Sequence, residues 1–311
     1  MVNGIIGSAN DWKFAAEQFK SRFGDEVLVH CSCRNAATLT FDGVDVMGHR
    51  LAEEVKEVVD RSPGLRRISF VAHSLGGLIA RYAIGQLYNP FDSSYQQYDD
   101  TFHGAILGLQ PVNFITVATP HLGSRGSRQL PLLGGLSFLE KVAVLGAHWV
   151  VGRTGNHLFL TDGSELQAPL LLRMVRDCTE GQFLSALGSF ERRVAYANMN
   201  FDQVVGFRTA TFRRETENVE VKEEPVDMKY PHIVNIEFVP PEICPVTDPD
   251  PDALAEQMIS GLRQLPWQRV DVNFSGSAQK LDAHSTIQVK SYWMHSDGAD
   301  VIAHIIDHFR L

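Results

Sequence analysis

The sequence predicts an α/β fold: one domain on a mainly parallel sheet with helices on both faces. Three observations predict it. Short β-branched runs alternate with segments whose apolar residues recur at helical spacing. The stretch ISFVAHSLGGLIARYAIGQLY (68–88) turns from strand to helix across one serine and two glycines. Strand-like runs resume after each of two long interruptions, at about 122–190 and 211–265, so these read as insertions into one core and not as separate domains.

In chain order, Met1 and Val2 pass at once into Asn3-Gly4-Ile5-Ile6-Gly7, a glycine-rich turn that ordinarily follows a strand. Two residues cannot supply that strand, so the expectation is a single domain over 1–311 that is truncated at its N-terminus. Ser8 to Asn10 offer cap chemistry to a helix whose stripe is Trp12, Ala16, Phe19 and Phe23. Glu26–His30 (EVLVH) is short and β-branched and reads as a strand. Val44, Met47, Leu51, Val55 and Val58 form a second helical stripe, closed by Ser62-Pro63-Gly64. Arg67–Ala72 is the next strand and Leu78–Leu87 the next helix. Later strands fall at Asn113–Ala118, Arg193–Ala197 and Arg269–Phe274, and Val301–Phe309 closes the chain as a helix. The first interruption has helical character over Leu170–Phe190; the second carries KEEP (222–225) and DPDPD (248–252).

Composition narrows the function. With 44% apolar and 21% charged residues, a chain of this length can bury a sizeable core. The formal charge of −9 argues against nucleic acid as the main partner, because phosphate binding needs a basic surface. No signal peptide and no membrane-spanning apolar run is seen. Cys31, Cys33, Cys178 and Cys244 do not make a disulfide framework in so long a chain, and Cys31-Ser32-Cys33 lacks a second metal-binding pair. Free thiols in a reducing compartment follow, and a cytoplasmic location is the expectation. His304 and His308 lie four apart on the last helix but lack a zincin glutamate and a third ligand. They read as a solvated helix face, and no metal or cofactor is expected.

Ser74 is the centre of the chemistry. In a strand–turn–helix the turn residue sits at the carboxyl edge of the sheet, where α/β folds gather ligands. A sharp turn there strains the backbone and crowds its neighbours, and small residues at −2, +2 and +3 relieve the crowding. Ala72, Gly76 and Gly77 hold those positions. The hydroxyl is expected to be exposed, with the Leu75 amide pointing into the same space. This is a nucleophile elbow, with Ala72 where glycine is commoner. The bland alternative, a chance Ser-X-Gly in a loop, does not account for strand, elbow and helix in order.

A serine hydroxyl needs a base to take its proton, and the base needs an orienting carboxylate. On such a fold the order is serine, acid, histidine. Asp202 follows the strand that ends near Asn198 and is the first candidate for the acid; Asp162, Asp177 and Asp227 follow no clear core strand. Asp202 could instead cap a turn. Between the last strand and last helix lie His284, in DAHSTIQVK, and His295, in MHSDG. His284 is favoured because Thr286, Ile287 and Val289 can anchor its loop; His295 is the runner-up base. His73 is expected to pack or line the pocket. An oxyanion hole needs two donors. The Leu75 amide is one, and the loop Val2–Ser8 offers the other, with Ile5 first and Gly4 second.

Together VNGIIGS, DWKFAAEQF, VAHSLGGLIARYAIG, FITVATPHLGSRG, GRTGNHLFLTDG, YANMNFDQVV and AHSTIQVK resemble the serine esterase (lipase-like) family of plants and fungi, closest to its plant branch. The resemblance covers nearly the whole chain. It implies an α/β-hydrolase fold with a helical cap insertion, Ser74 as nucleophile, Asp202 as acid, His284 as base, and acyl-ester or acylglycerol substrates. Members of that family carry more sequence before VNGIIG, in line with a truncated start.

Leu132–Val151 is strongly apolar and follows Thr119-Pro120-His121-Leu122-Gly123, where hydrolases of this fold insert a cap. An apolar cap suits an acyl chain or peripheral contact with a lipid surface; it equally suits plain burial against the body. Lipid or small acyl esters are the expected substrates. Three function classes stay open: a serine esterase or lipase, an acyltransferase or thioesterase with the same triad, and a non-catalytic binding protein on the same scaffold.

Overall fold

A computed structural model describes residues 1–90, 104–124, 152–242 and 253–311. Strands β1 (Arg67–His73), β2 (Gln110–Val117), β3 (Arg192–Asn198), β4 (Ile233–Val239) and β5 (Trp267–Val272) form one sheet in the order β1-β2-β3-β5-β4. The first three and β5 run parallel; β4 joins β5 antiparallel at the far edge. Strands β2 and β3 are buried along nearly their whole length, as continuous apolar runs in a covered parallel sheet should be.

Helices cover both faces. One core contains α2 (Val44–Asp60), α3 (Leu75–Leu87), α4 (Phe183–Gly188) and α5 (Leu254–Leu262), with Met47, Leu78, Phe183 and Leu262 buried in it. The other contains α1 (Lys13–Phe23) and α8 (Ala299–Asp307), with Phe19, Val270 and Ile305. Between β5 and α8 lie two one-turn helices, α6 (Ala283–Thr286) and α7 (Tyr292–His295). The expected α/β architecture is the observed one. Among the described residues no helix is long and apolar enough to cross a membrane.

Three elements differ from expectation. Val27–His30 is not a strand: a short 3-10 turn over Gly24–Glu26 precedes it, and the segment enters no ladder. Its β-branched composition marks an extended segment, but a strand needs a neighbour of matching length. Among the described residues, Val2 alone pairs with that edge of β1, in a one-residue parallel bridge to Ala72. Second, Ile233–Val239 is a strand that the sequence reading passed over inside the charged interruption 211–265. Its burial alternates over Asn235–Phe238 because it is an edge strand with one face in solvent, and Arg213 ties it to the sheet by pairing with both Asp271 and Glu237. Third, the latter part of 122–190 packs into the core. Leu170–Arg173 and α4 are short helices separated by a tight hairpin (Asp177–Cys178 with Gly181–Gln182), and Leu171, Met174 and Leu187 are buried. The apolar run Leu132–Val151, the DPDPD loop and Cys244 lie outside the described residues.

Of the two histidines at the end of the chain, His304 on α8 departs from expectation. His304 is buried, its Nδ1 accepting from the Tyr196 hydroxyl at 2.8 Å, and only His308 faces solvent. Burial, and next the neighbouring His308, lower the His304 pKa to about 4. An unfolded chain therefore binds a proton at this position between pH 6.5 and 4 that the folded one refuses, so stability must fall as pH falls through that window. The shift corresponds to a loss on the order of 3 kcal/mol. Replacing His304 with Phe should flatten the decline of melting temperature between pH 6.5 and 4 relative to wild type. Parallel declines would place the acid sensitivity elsewhere.

Candidate active site

Strand β1 ends at His73 and α3 begins at Leu75, so Ser74 alone makes the turn. Its backbone has φ 54° and ψ −131°, a region that side-chain-bearing residues rarely adopt. The turn is pinned by the Ser74 amide donating to Val117 O (2.8 Å) and the Gly77 amide donating to Ser74 O (3.1 Å). Glycines around it leave room for close backbones. A Cβ on Gly76 would lie 2.6 Å from the carbonyl oxygens of Val2 and Asn3, and one on Gly77 would lie 2.2 Å from Thr119 Oγ1. Ser74 is 3% exposed, not open to solvent as the sequence suggested, because these segments converge on it.

Asp202 and His284 come to the same place from different elements. Asp202 sits four residues past the end of β3, after Phe201 at φ 62°. His284 sits on α6, whose position is held by fully buried Thr286 and Ile287. His284 Nδ1 lies 3.0 Å from Asp202 Oδ2, and His284 Nε2 lies 3.0 Å from Ser74 Oγ. A carboxylate only accepts, so Nδ1 carries the ring proton and Nε2 is left to accept from the serine hydroxyl. Asp202 is further satisfied by the amides of Val204 and Val205 on Oδ1 and by Asn198 Nδ2 on Oδ2. Burial pushes its carboxyl up; His284, the Val205 amide and Asn198 together pull it below its ordinary value. The group is therefore ionised at neutral pH.

The loop from Asn3 to Ser8 passes beside Ser74. A Cβ on Gly4 would lie 2.7 Å from Ser74 Cβ, so only glycine fits that approach. The Ile6 amide is spent on Thr40 Oγ1 (2.9 Å). By contrast, the amides of Gly4, Ile5 and Leu75 donate to none of the described residues. Those three remain available to a developing negative charge.

Other candidates are engaged elsewhere. His295 Nε2 donates to Asp282 Oδ2 (2.8 Å) while its Nδ1 accepts from the Ser291 amide (3.1 Å), so the runner-up base latches the loop that bears His284. Asp162 accepts from the Leu170 amide, Asp177 from those of Leu184 and Ser185, and Asp227 from that of Lys229. Asp162 and Asp177 satisfy first-turn amides of short helices, and Asp227 closes a turn. Among the described residues, no group of three His, Cys, Asp or Glu side chains could hold a metal.

Two further residues shape the site: His73, expected only to pack or line the pocket, and Asn198, to which the sequence assigned no role. His73 Nε2 donates to the His284 carbonyl (2.8 Å), with the two rings 4.6 Å apart. Burial and then the adjacent His284 hold its pKa well below the usual histidine value, so it is a neutral donor that fixes the backbone of the histidine beside it. Asn198 links Asp202 to the Ala283 carbonyl (3.2 Å). A histidine next to a candidate serine was visible in the sequence; that its partner is a carbonyl 211 residues away was not.

Comparison with known proteins places this geometry in context. Residues 1–215 match the family described as "Putative serine esterase (DUF676)". A Saccharomyces cerevisiae protein named "Putative lipase ROG1" is 32% identical over 193 residues, 62% of this chain and 24% of its own. "Putative lipase C4A8.10" of Schizosaccharomyces pombe is 32% identical over 177 residues, 55% of this chain and 20% of its own. The chain thus spans about a quarter or less of the length of these relatives. They are yeast proteins and lend no support to the expected kinship with a plant branch. Among solved structures, phospholipase PlaB of Legionella pneumophila is 17% identical, with a TM-score of 0.39 over 65% of this chain and 38% of its own. With more than half of its length matched, the chain belongs to the serine esterase family DUF676.

Proposed function

We propose that this esterase cleaves lipid acyl esters through Ser74, His284 and Asp202, by way of an acyl-enzyme. The observation that carries the proposal is the hydrogen-bond chain Ser74 Oγ–His284 Nε2–His284 Nδ1–Asp202 Oδ2, with both contacts at 3.0 Å. In the reaction, His284 Nε2 takes the Ser74 hydroxyl proton as Oγ forms a bond to the ester carbonyl carbon. The carbonyl oxygen becomes an oxyanion that accepts from the Leu75 amide and from Ile5 or Gly4. Collapse breaks the C–O bond to the alcohol, which leaves with the proton held on His284. Water then attacks the acyl carbonyl carbon while giving a proton to the same nitrogen; the bond from that carbon to Ser74 Oγ breaks, Oγ takes the proton back from His284, and the acid leaves. Asp202 keeps the imidazole in the tautomer this requires and stabilises the imidazolium that forms. A lipid acyl group as the substrate is supported by the names of the yeast relatives and by the apolar run Leu132–Val151.

Labelling with a fluorophosphonate probe tests the reading directly. Wild type should label and hydrolyse a short p-nitrophenyl ester, and Ser74→Ala should do neither while keeping its circular dichroism. Retained turnover by Ser74→Ala would sink the assignment.

For the base, His284→Ala should lower kcat by about 10⁴ or more. His295→Ala should act mainly on melting temperature and cost far less rate, since its nitrogens serve Asp282 and Ser291. Reversed results would move the base to His295.

Chain length tests the substrate class. Leu136→Asp with Val144→Asp should lower kcat/KM for long-chain esters more than for acetate esters. Equal losses would mean that the apolar run serves packing alone.

A further inference from the structure

The loop that carries Gly4 and Ile5 is tied to α2 through a side chain with no part in the chemistry above. Glu54 of α2 is 4% exposed. Its Oε1 accepts from His30 Nε2 (2.9 Å) and the Cys33 amide (2.8 Å), with the Cys33 thiol at 3.4 Å. Its Oε2 accepts from Ser32 Oγ (2.6 Å) and the Arg34 amide (3.5 Å). Burial alone would raise this carboxyl; the donors from His30, Ser32 and Cys33 outweigh it and hold the pKa at about 2. The group is a carboxylate under any ordinary assay condition.

The segment that Glu54 grips is the one that holds the loop. The Ser32 amide donates to Met1 O at 2.9 Å. Asn35 O accepts from Asn3 Nδ2 at 2.9 Å, and Asn35 Nδ2 returns to α2 at Met47 O, 2.8 Å away. Asn3 is 1% exposed, and its Nδ2 also reaches Gly4 O (3.1 Å). One residue later comes Gly4, packed on Ser74 without space for a methyl group.

We propose that Glu54 is a positioning residue for the reaction: by gripping residues 30–35 it fixes Asn3, and through Asn3 the amides of Gly4 and Ile5. The inference rests on the esterase reading above. A buried carboxylate that served stability alone would not need its chain of contacts to end beside an amide that the reaction uses. Displacement of such an amide is expensive. Loss of one oxyanion donor costs about 10²–10³ in rate, and a shift of about 1 Å costs about 10².

The test uses the full chain and a short p-nitrophenyl ester, with Glu54→Gln, Asn3→Ala and the double variant measured where circular dichroism shows each folded. Glu54→Gln removes an acceptor oxygen and sets an NH₂ against the Cys33 or the Arg34 amide, which can only donate. Each single variant should lose about 10- to 100-fold in kcat with KM changed by less than about 2-fold. The double variant should lose no more than the worse single, since both break one path. Wild-type kcat in folded Glu54→Gln, with only a lower melting temperature, would overturn the proposal; so would losses that multiply in the double variant. If Glu54→Gln does not fold, Ser32→Ala and Asn3→Ala probe the two ends of the path, and wild-type kcat in both overturns it. Turnover that survives Ser74→Ala would instead overturn the esterase reading, whatever Glu54 does.

Discussion

Three backbone segments meet at Ser74, and the rest of the site depends on that convergence. The end of β1, the residues Val2 to Gly4 and the turn at Thr119 approach so closely that Gly4, Gly76 and Gly77 have no room for a Cβ. Ser74 itself cannot be glycine if it is to react, so it takes the strained backbone, at a cost of roughly 1–3 kcal/mol. The surroundings sustain that strain. From Leu75 to Gly85 the helix is buried, and the Ser74 amide is fastened to β2 through Val117. A less buried helix could relax the turn and lose the serine's direction.

Buried charge at the site follows one rule: each ionised group has enough donors, and groups that lack them are neutral. Asp202 has His284, two amides and Asn198, and is ionised in spite of burial. His73 gives one proton to one carbonyl and is neutral. His121 contacts Thr116 Oγ1 and packs edge-on against Phe212 and Trp267, with its pKa likewise held far down by burial. Among the described histidines, only His284 lies between a carboxylate and a hydroxyl. That difference in surroundings, and not residue type, separates half-buried His284 from the buried His73 and His121.

Both partners of Ser74 stand at the C-terminal end of the parallel sheet for a topological reason. Asp202 follows β3 and His284 follows β5, and these strands are neighbours in register from Val194–Gln268 to Asn198–Val272. Loops leaving adjacent parallel strands open on the same edge. Asn198 then joins the two loops, donating to Asp202 and to the Ala283 carbonyl.

Much of this was legible in the sequence. Apolar periodicity marked β1, α2, α3 and the central strands, because elements buried in a covered parallel sheet carry their pattern in the chain itself. The elbow was legible because its demand is local: a serine between strand and helix, with small residues two and three positions away. Asp202 and His284 were legible as positions in an order, one after a late strand and one before the last helix. Their meeting at 3.0 Å could only be seen in three dimensions. Edge elements were illegible for the opposite reason to the core. Ile233–Val239 is a strand because β5 lies beside it, and Val27–His30, also β-branched, is none because no strand among the described residues pairs with it. Likewise His304 was placed in solvent by its spacing and buried by Tyr196. What a residue needs within a few positions is written in the chain; what it meets tens or hundreds of residues away is decided when the sheet assembles.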